Sequence, residues 1–341
     1  MSFDPNAAAA GDSGIFGLPH SPDEARVVII PVPFDATTSY RAGTAFGPRD
    51  VLNASRQVDL FDLETGRPYE AGIAMLPIPA EVMAWSQEAR AFAEPIIHAG
   101  GASEGDAGLA KVNALCERMN AWVYDTAKVW RARGKVVGLV GGDHSTPFGA
   151  IRACAEAHPG VGILHVDAHA DLRRAYEGFT WSHASIMHNV AERIPGVAKI
   201  VQVGIRDFCE DEHAYIAASN GRVQTFFDVA VGARLSGNES WHSVVDSIVC
   251  ALPAQVYVSF DIDGLDPTLC PHTGTPVPGG LSWNQALELL RGLNRAGKQL
   301  VGFDVNEVCT GAQGGELPDD EWDANVGARL LYKLIGWSQK S

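Results

Sequence analysis

Six short runs of apolar, mostly β-branched residues constrain what this chain can fold into. They fall at 27–30, 136–140, 161–164, 200–203, 256–258 and 300–303. Hardly any polar residue alternates with the apolar ones inside a run. Strands covered on both faces read this way, and that is the habit of parallel sheets. Helical periodicity fills the intervals. Val112, Leu115, Met119 and Val123 recur at helical spacing within 111–132. Ser282 and Gln285 have the spacing of a capping box, which opens a helix carrying Ala286, Leu287, Leu289 and Leu290. A last helix is predicted over 326–337. Strands alternating with helices predict an α/β fold around a mostly parallel sheet.

The chain has 341 residues, 46% of them hydrophobic, which permits one large domain or two smaller ones. No Pro/Ser-rich linker and no internal repeat divides it. One domain over 25–341 is therefore expected. Residues 1–24 hold an Ala run, several Gly and Pro, and little periodicity, so they are expected to form a flexible N-terminal arm. A disordered tail and a segment packed on a neighbouring subunit remain open as readings of that arm. Residues 64–108 carry the weakest pattern and are expected to form a surface excursion rather than core strands.

In open parallel sheets the site lies beyond the carboxyl ends of the strands, so the residues after each run matter most. Gly141-Gly142-Asp143-His144-Ser145 follows the second run. His165-Val166-Asp167-Ala168-His169-Ala170-Asp171 follows the third. Ser259-Phe260-Asp261-Ile262-Asp263-Gly264-Leu265-Asp266-Pro267 follows the fifth, and Asp304-Val305-Asn306-Glu307 the sixth. Along an extended chain, residues two and four apart share a face. Asp167, His169 and Asp171 therefore point one way, as do Asp261 and Asp263. With His144 they make four carboxylates and two imidazoles. Gathering those carboxylates with no counter-charge would be very unfavourable. Two divalent cations would neutralise them, one carboxylate of each cluster bridging both. The donor set is rich in oxygen and free of thiolate. It suits Mn, accepts Ni, Co, Fe or Zn, and is unlike a structural zinc site. Such a centre makes a nucleophile of water near neutral pH.

A formal charge of −15 disfavours nucleic acid and anionic membranes as partners. No apolar run approaches the length of a membrane helix. The first twenty residues lack the basic and apolar regions of a signal peptide. The six cysteines are scattered with no CxxC pair, as in reduced thiols. A cytoplasmic location is expected.

The three motifs at 141–145, 167–171 and 259–267, in that order, resemble the ureohydrolase family of arginases, agmatinases and related guanidino-compound hydrolases. The resemblance runs from about 26 to 335. It implies a single three-layer α/β/α domain with an eight-stranded, mostly parallel sheet, assembled as a homo-oligomer, a trimer or hexamer. It implies that His144, Asp171 and the bridging Asp167 and Asp261 hold one metal, and that His169, Asp263 and the same bridges hold the other. The loop Trp181-Ser182-His183-Ala184-Ser185 resembles the one bearing the family's catalytic histidine, so His183 would pass a proton to the leaving amine. Glu307 would grip the planar guanidinium by paired hydrogen bonds. Asp143 and Asp266, beside the ligands, would orient them. Water activated by the metals would attack the guanidinium carbon and release urea with ammonia or an amine.

The substrate is a small cationic guanidino compound on this reading. The segment 172–181 lacks the Asn/Ser-rich pattern associated with arginases. Phe179 and Trp181 would wall a small pocket and stack on a planar cation. His272, in a loop similar to the family's Gly-Thr-Pro loop, would shorten it. These features look similar to hydrolases of free guanidine and small alkylguanidines, some of which use nickel, so Mn or Ni is the expected metal. Agmatinase activity, giving putrescine and urea, is the alternative. A non-catalytic subunit of a hetero-oligomer is disfavoured by the intact ligand set. A single-zinc deacetylase is disfavoured by His144 in its Gly-Gly-Asp-His-Ser motif.

Overall fold

The structure is a computed structural model that describes residues 3–311 and 320–340. In chain order the elements are β1 (Val27–Val32), α1 (Gly47–Ser55), β2 (Ile73–Met75), α2 (Ala80–His98), α3 (Ala107–Ala132) and β3 (Val136–Gly141). There follow α4 (Phe148–Ala157), β4 (Val161–Val166), α5 (Ile186–Arg193), β5 (Val197–Val203), α6 (Glu210–Ala218) and β6 (Val223–Phe226). The chain continues through α7 (Asp228–Ser236), α8 (Trp241–Cys250), β7 (Gln255–Asp261), α9 (Trp283–Arg295), β8 (Gln299–Asn306) and α10 (Trp322–Ser338). The strands form one eight-stranded sheet in the order β2-β1-β3-β8-β7-β4-β5-β6. Every pairing is parallel, so the sheet is wholly rather than mostly so.

Apolar packing lies on both faces. Val27, Ile29, Leu164 and Val201 pack with α8, α9 and α10; Ile30, Leu139, Ile163 and Ile200 pack with α2, α3, α4 and α5. Successive residues of a strand go to opposite layers, which is why the runs had to be apolar throughout. The expected capping box is present at α9: Ser282 accepts from the Gln285 backbone, and Gln285 reaches back to the Ser282 backbone. Among the described residues no helix is long and apolar enough to cross a membrane.

Two expectations need correction. The excursion at 64–108 contains an edge strand, β2, whose Ile73, Ala74 and Met75 pair with Val27, Val28 and Ile29, and the long helix α2. Three residues are too short a run to register as a strand. In the N-terminal arm, Ile15, Phe16 and Leu18 are buried. The Phe16 ring packs on Tyr332 of α10, the Phe16 amide donates to Ser55 of α1, and the Arg56 guanidinium donates to the Ser13 carbonyl. Three large apolar side chains in four residues give this segment enough area to dock on its own domain.

The topology decides where chemistry can occur. β3, β8, β7 and β4 are separated in sequence but lie side by side in the middle of the sheet. Their carboxyl ends carry the four motifs singled out above.

Candidate metal centre and substrate cavity

All six expected ligands converge. His144 lies just beyond β3, and its Nδ1 is 2.9 Å from Asp167 Oδ2, 3.1 Å from Asp261 Oδ2 and 3.5 Å from Asp171 Oδ2. Nδ1 of His169 is 3.4 Å from Asp167 Oδ1 and 3.2 Å from Asp263 Oδ2. Asp167 thus offers one oxygen to each histidine. Donor atoms of His144, Asp167 and Asp171 lie within 4.8 Å of one another, as do those of Asp167, His169 and Asp263. The four aspartates are buried. Among the described residues no lysine or arginine pairs with any of them. A buried, oxygen-rich set of this kind with only imidazole partners fits divalent cations, whose charge would replace the missing counter-ions.

Tight packing builds the loops. A Cβ at Gly141 would lie 2.0 Å from Asn306 Oδ1, and one at Gly142 would lie 2.1 Å from the Phe34 carbonyl. The double glycine lets the chain turn under its neighbours before His144. Asp171 (φ 53°) and Glu307 (φ 62°) both adopt the left-handed region. That conformation is unfavourable by about 1–3 kcal/mol for a side-chain-bearing residue, and here it falls on two residues of the site.

Glu307 is held on three sides. Its Oε1 accepts from the His144 backbone N–H at 3.0 Å, its N–H donates to the Gly142 carbonyl at 2.8 Å, and its carbonyl accepts from Thr273 Oγ1 at 2.8 Å. Oε2 faces Gly274, where a Cβ would stand 3.0 Å away. His183 follows the Ser182 cap, its backbone N–H donating to Thr37 Oγ1 at 3.1 Å. Thr37 Oγ1 in turn donates to Asp143 Oδ2 at 3.2 Å, and Asp143 Oδ1 accepts from the Ser145 backbone and hydroxyl. Asp143 therefore orients the His144 loop and, through Thr37, the His183 loop. Asp266 instead caps its own turn by accepting from Thr268, away from the ligands.

The electrostatics are those of a site built for added positive charge. Burial, then the neighbouring aspartates, pushes the carboxyls of Asp171 and Asp261 well above their usual range. Burial, then Asp261, does the same to Glu307. At His144 burial opposes protonation, but the hydrogen bond and charge of Asp167 prevail and lift the pKa to about 9. Burial and the nearby His169 push His183 down to about 3, so its imidazole is neutral.

A cavity of about 430 Å³ opens over His169, Asp171 and His183. Tyr40, Tyr176, Phe208, Arg41, Arg173, Asp207 and Thr275 contribute to its walls. The expected pocket residues are elsewhere. Phe179 is fully buried in the α2–α5 layer. Trp181 packs edge-on against Phe148 with centroids 4.9 Å apart, lies under the Arg193 guanidinium, and donates to Glu117. The cause is a tight turn in which Tyr176 and Phe179 bond each other's backbones across Glu177 (φ 53°) and Gly178 (φ 96°). It turns Phe179 inward and leaves Tyr176 as the wall. His272 faces an adjoining cavity across Tyr40 and Arg41, and bonds Asp323 at the start of α10 through both Nδ1 and its backbone N–H, each at 2.9 Å.

Sequence reasoning missed three further residues. Thr37 links Asp143 to His183. The Arg206 guanidinium donates to the carbonyls of Gly204, Asp263, Leu265 and Val277, pinning the loop after β7. His165, fully buried, has Nε2 2.8 Å from Asp167 Oδ2. Its position two residues before Asp167, on the same strand face, was the available signal.

Comparison with known proteins gives a consistent picture. A family model described as the arginase family matches residues 25–335. The chain is 36% identical to the N(1)-aminopropylagmatine ureohydrolase of Thermus thermophilus over 327 residues, covering 94% of each protein. It is 29% identical to the guanidinobutyrase of Pseudomonas aeruginosa, covering 95% of this chain and 92% of that one. The crystal structure of the agmatine ureohydrolase of Thermoplasma volcanium superposes with a TM-score of 0.71 at 25% identity, over 94% of this chain and 92% of that one.

Proposed function

The chain belongs to the arginase family, and from that premise we propose a ureohydrolase that holds two divalent cations and cleaves a guanidino compound bearing an amine-carrying tail. The observation that carries the metal part is the cluster of four buried aspartates whose ionic partners among the described residues are imidazoles alone. His144, Asp171 and the shared Asp167 and Asp261 would hold one cation; His169, Asp263 and the same two would hold the other. The set fits Mn and also Ni. When bound, the cations would supply a water nucleophile near neutral pH and neutralise the carboxylates.

The chain's own residues do the rest. Glu307, fixed by three hydrogen bonds, accepts from the planar cation and aims its carbon at the site. His183, neutral and at the cavity wall, would pass the proton given up by the attacking water to the departing nitrogen. The Thr37–Asp143 link keeps its loop in register with His144. The products are urea and an amine.

The tail follows from the cavity. About 430 Å³ falls in the range of roughly 300–1,000 Å³ that takes drug-sized ligands, several times the bulk of free guanidine. Phe179, Trp181 and His272, the premises of a short pocket, do not line it. Arg173 is engaged by Glu212 at 3.6 Å and stacks on Tyr176 at 4.8 Å, and Arg41 donates to the Pro271 carbonyl. Asp207 has no side-chain partner among the described residues and shares the cavity wall with Tyr176 and Phe208. A carboxylate in a cavity whose walls also carry aromatic rings suits an ammonium. The relative named for aminopropylagmatine is in keeping with this. The test is urea release by the purified chain, loaded with Mn or Ni, on guanidine, methylguanidine, agmatine, aminopropylagmatine, guanidinobutyrate and arginine. We expect the amine-tailed compounds to lead. Asp207→Asn should lower kcat/KM on them about tenfold while sparing methylguanidine. Preference for guanidine itself, or indifference to Asp207→Asn, would overturn the tail assignment.

A further inference from the structure

Beneath the carboxylates the sheet carries polar side chains where apolar ones are the rule. Thr225, Gln202, His165, Ser259 and Asp304 sit at one level on five neighbouring strands. The register pairs Thr225 with Gln202, Gln202 with His165, His165 with Ser259, and Ser259 with Asp304. Two residues earlier on their strands, Val223, Ile200, Ile163 and Tyr257 belong to the buried apolar layer. Two residues later come Asp167 on the β4 side and Asp261 on β7. A buried Gln and His in such a layer are tolerated only when every donor and acceptor is matched.

The hydrogen bonds of Gln202 leave one solution. Its Nε2 is 2.7 Å from the Ala170 carbonyl and 3.0 Å from His165 Nδ1, and its Oε1 accepts from Thr225 Oγ1 at 2.8 Å. A carbonyl can only accept, so the amide nitrogen must face Ala170; the flipped amide would set two oxygens against each other. The second amide hydrogen then points at His165 Nδ1, which must accept. That excludes a proton on Nδ1, and with it the imidazolium. The ring proton is on Nε2, which lies 2.8 Å from Asp167 Oδ2.

We propose that His165 is a positioning residue and not a metal ligand: Gln202 locks it as the Nε2–H tautomer, and it holds the bridging carboxylate of Asp167 by donating to Oδ2. The proposal rests on the reading of Asp167 as a ligand. Proximity alone would admit His165 to the ligand set, since its donor atom lies within 4.8 Å of those of His144, Asp167 and Asp171. A nitrogen that carries a proton has no lone pair to give, so the tautomer decides the role. The same row has the opposite effect on His144. Ser259 Oγ donates to Asp304 Oδ1 at 2.9 Å and so accepts from His144 Nε2 at 2.9 Å, so that it is Nδ1, on giving up its proton, whose lone pair faces the carboxylates.

Two measurements test this on the full chain. The first is long-range proton–nitrogen correlation of ring-labelled histidines in chelator-stripped protein, with the His165 signal identified by its loss in His165→Gln. We expect the Nε2–H pattern in the wild type and loss of a single tautomer in Gln202→Leu. An Nδ1–H pattern in the wild type overturns the proposal. The second is calorimetric Mn titration of the wild type, His165→Leu and His165→Gln. Leucine should weaken Mn binding about 10- to 100-fold. Glutamine, which keeps an N–H near the Nε2 position, should restore most of it. Equal losses in both variants, or none in either, would mean that the imidazole only fills space. Should His165→Leu fail to fold, Gln202→Leu is titrated in its place and is expected to weaken binding; unaltered binding there counts against the proposal. Should the wild type take up no divalent cation, the metal reading fails, while the tautomer spectrum still judges the donor assignment.

Discussion

Replacing Glu307 by glutamine separates gripping the substrate from building the site. The wild-type carboxylate accepts the His144 backbone N–H through Oε1 at 3.0 Å. Glutamine retains that acceptor, so the loop that presents His144 keeps its anchor. What changes is the atom at the Oε2 position beside Gly274, where an accepting oxygen becomes a donating NH₂. A guanidinium has only donors to offer. The variant therefore loses a charge-assisted hydrogen bond, worth about 1.5–3 kcal/mol, and sets donor against donor. At about 1.4 kcal/mol per tenfold, kcat/KM should fall roughly 10- to 150-fold at least. Metal bound per chain, read by elemental analysis, should not change.

A second readout comes from the same substitution. Burial and the neighbouring Asp261, Asp143 and Asp263 raise the Glu307 carboxyl well above its usual range. The sign follows from linkage. A raised acid contributes stability that is fully present below its unfolded pKa and is lost as pH rises through the folded one. Glutamine cannot ionise. The chelator-stripped variant should therefore melt higher than the stripped wild type at alkaline pH, with the gap closing toward pH 4. Unchanged kcat/KM with metals in place would remove Glu307 from substrate binding. Loss of metal would show that the carboxylate builds the centre rather than serving it.

The stripped wild type has its own pH signature. Burial lifts Asp143 and Asp304 from the usual 3.8 to about 6, and Asp167 lifts His144 to about 9 against its burial. All three contributions are present at low pH and fade as pH rises, first through about 6 and then through about 9. His183, held near 3, acts oppositely between 6.5 and 3. Thermal melts should thus show the stripped protein losing stability from about pH 5 to 9, and saturating Mn should abolish the trend; a flat profile without metal would refute this. His272→Ala should leave the substrate panel unaltered, because the residue faces another cavity, and should destabilise the fold by about 1–3 kcal/mol by removing a partner of the buried Asp323. A shifted substrate preference in that variant would restore His272 as a pocket residue.

The sequence made the ligands legible for a physical reason. Strands buried on both faces are apolar along most of their length, so Asp167, His169, Asp171, Asp261 and Asp263 stood out at the ends of apolar runs. Six of the eight strands were visible in the same way. The other two were not. Ile73–Met75 is a three-residue edge strand, and in Val223–Phe226 the polar Gln224 and Thr225 dilute the pattern. The pocket aromatics were misread because periodicity does not say which side of a loop faces a cavity. A two-residue turn at Glu177-Gly178 exchanged the parts of Tyr176 and Phe179. Gln202 sat inside an apparent apolar run, where its polarity looked like noise. Its meaning appeared only when the register placed it between Thr225 and His165.

Strand order, which no local pattern encodes, is what turns these motifs into one site. β3, β8, β7 and β4 are consecutive in the sheet, and neighbouring strands are about 4.8 Å apart. Four strand ends therefore cover roughly 15 Å, a span that two cations and a guanidinium can fill. Had β4 paired with β3, as their succession in the chain would suggest, the motif of β4 would separate His144 from Glu307. The observed order instead puts β8 next to β3, so that Glu307 reaches the His144 backbone, and puts β7 next to β4, so that Asp263 Oδ1 accepts from the Ala168 backbone at 3.0 Å. Each ligand loop is thus tied to the one beside it before any metal arrives. The repulsion among carboxylates is borne by that frame, and a cation that relieved it would meet donors already in place.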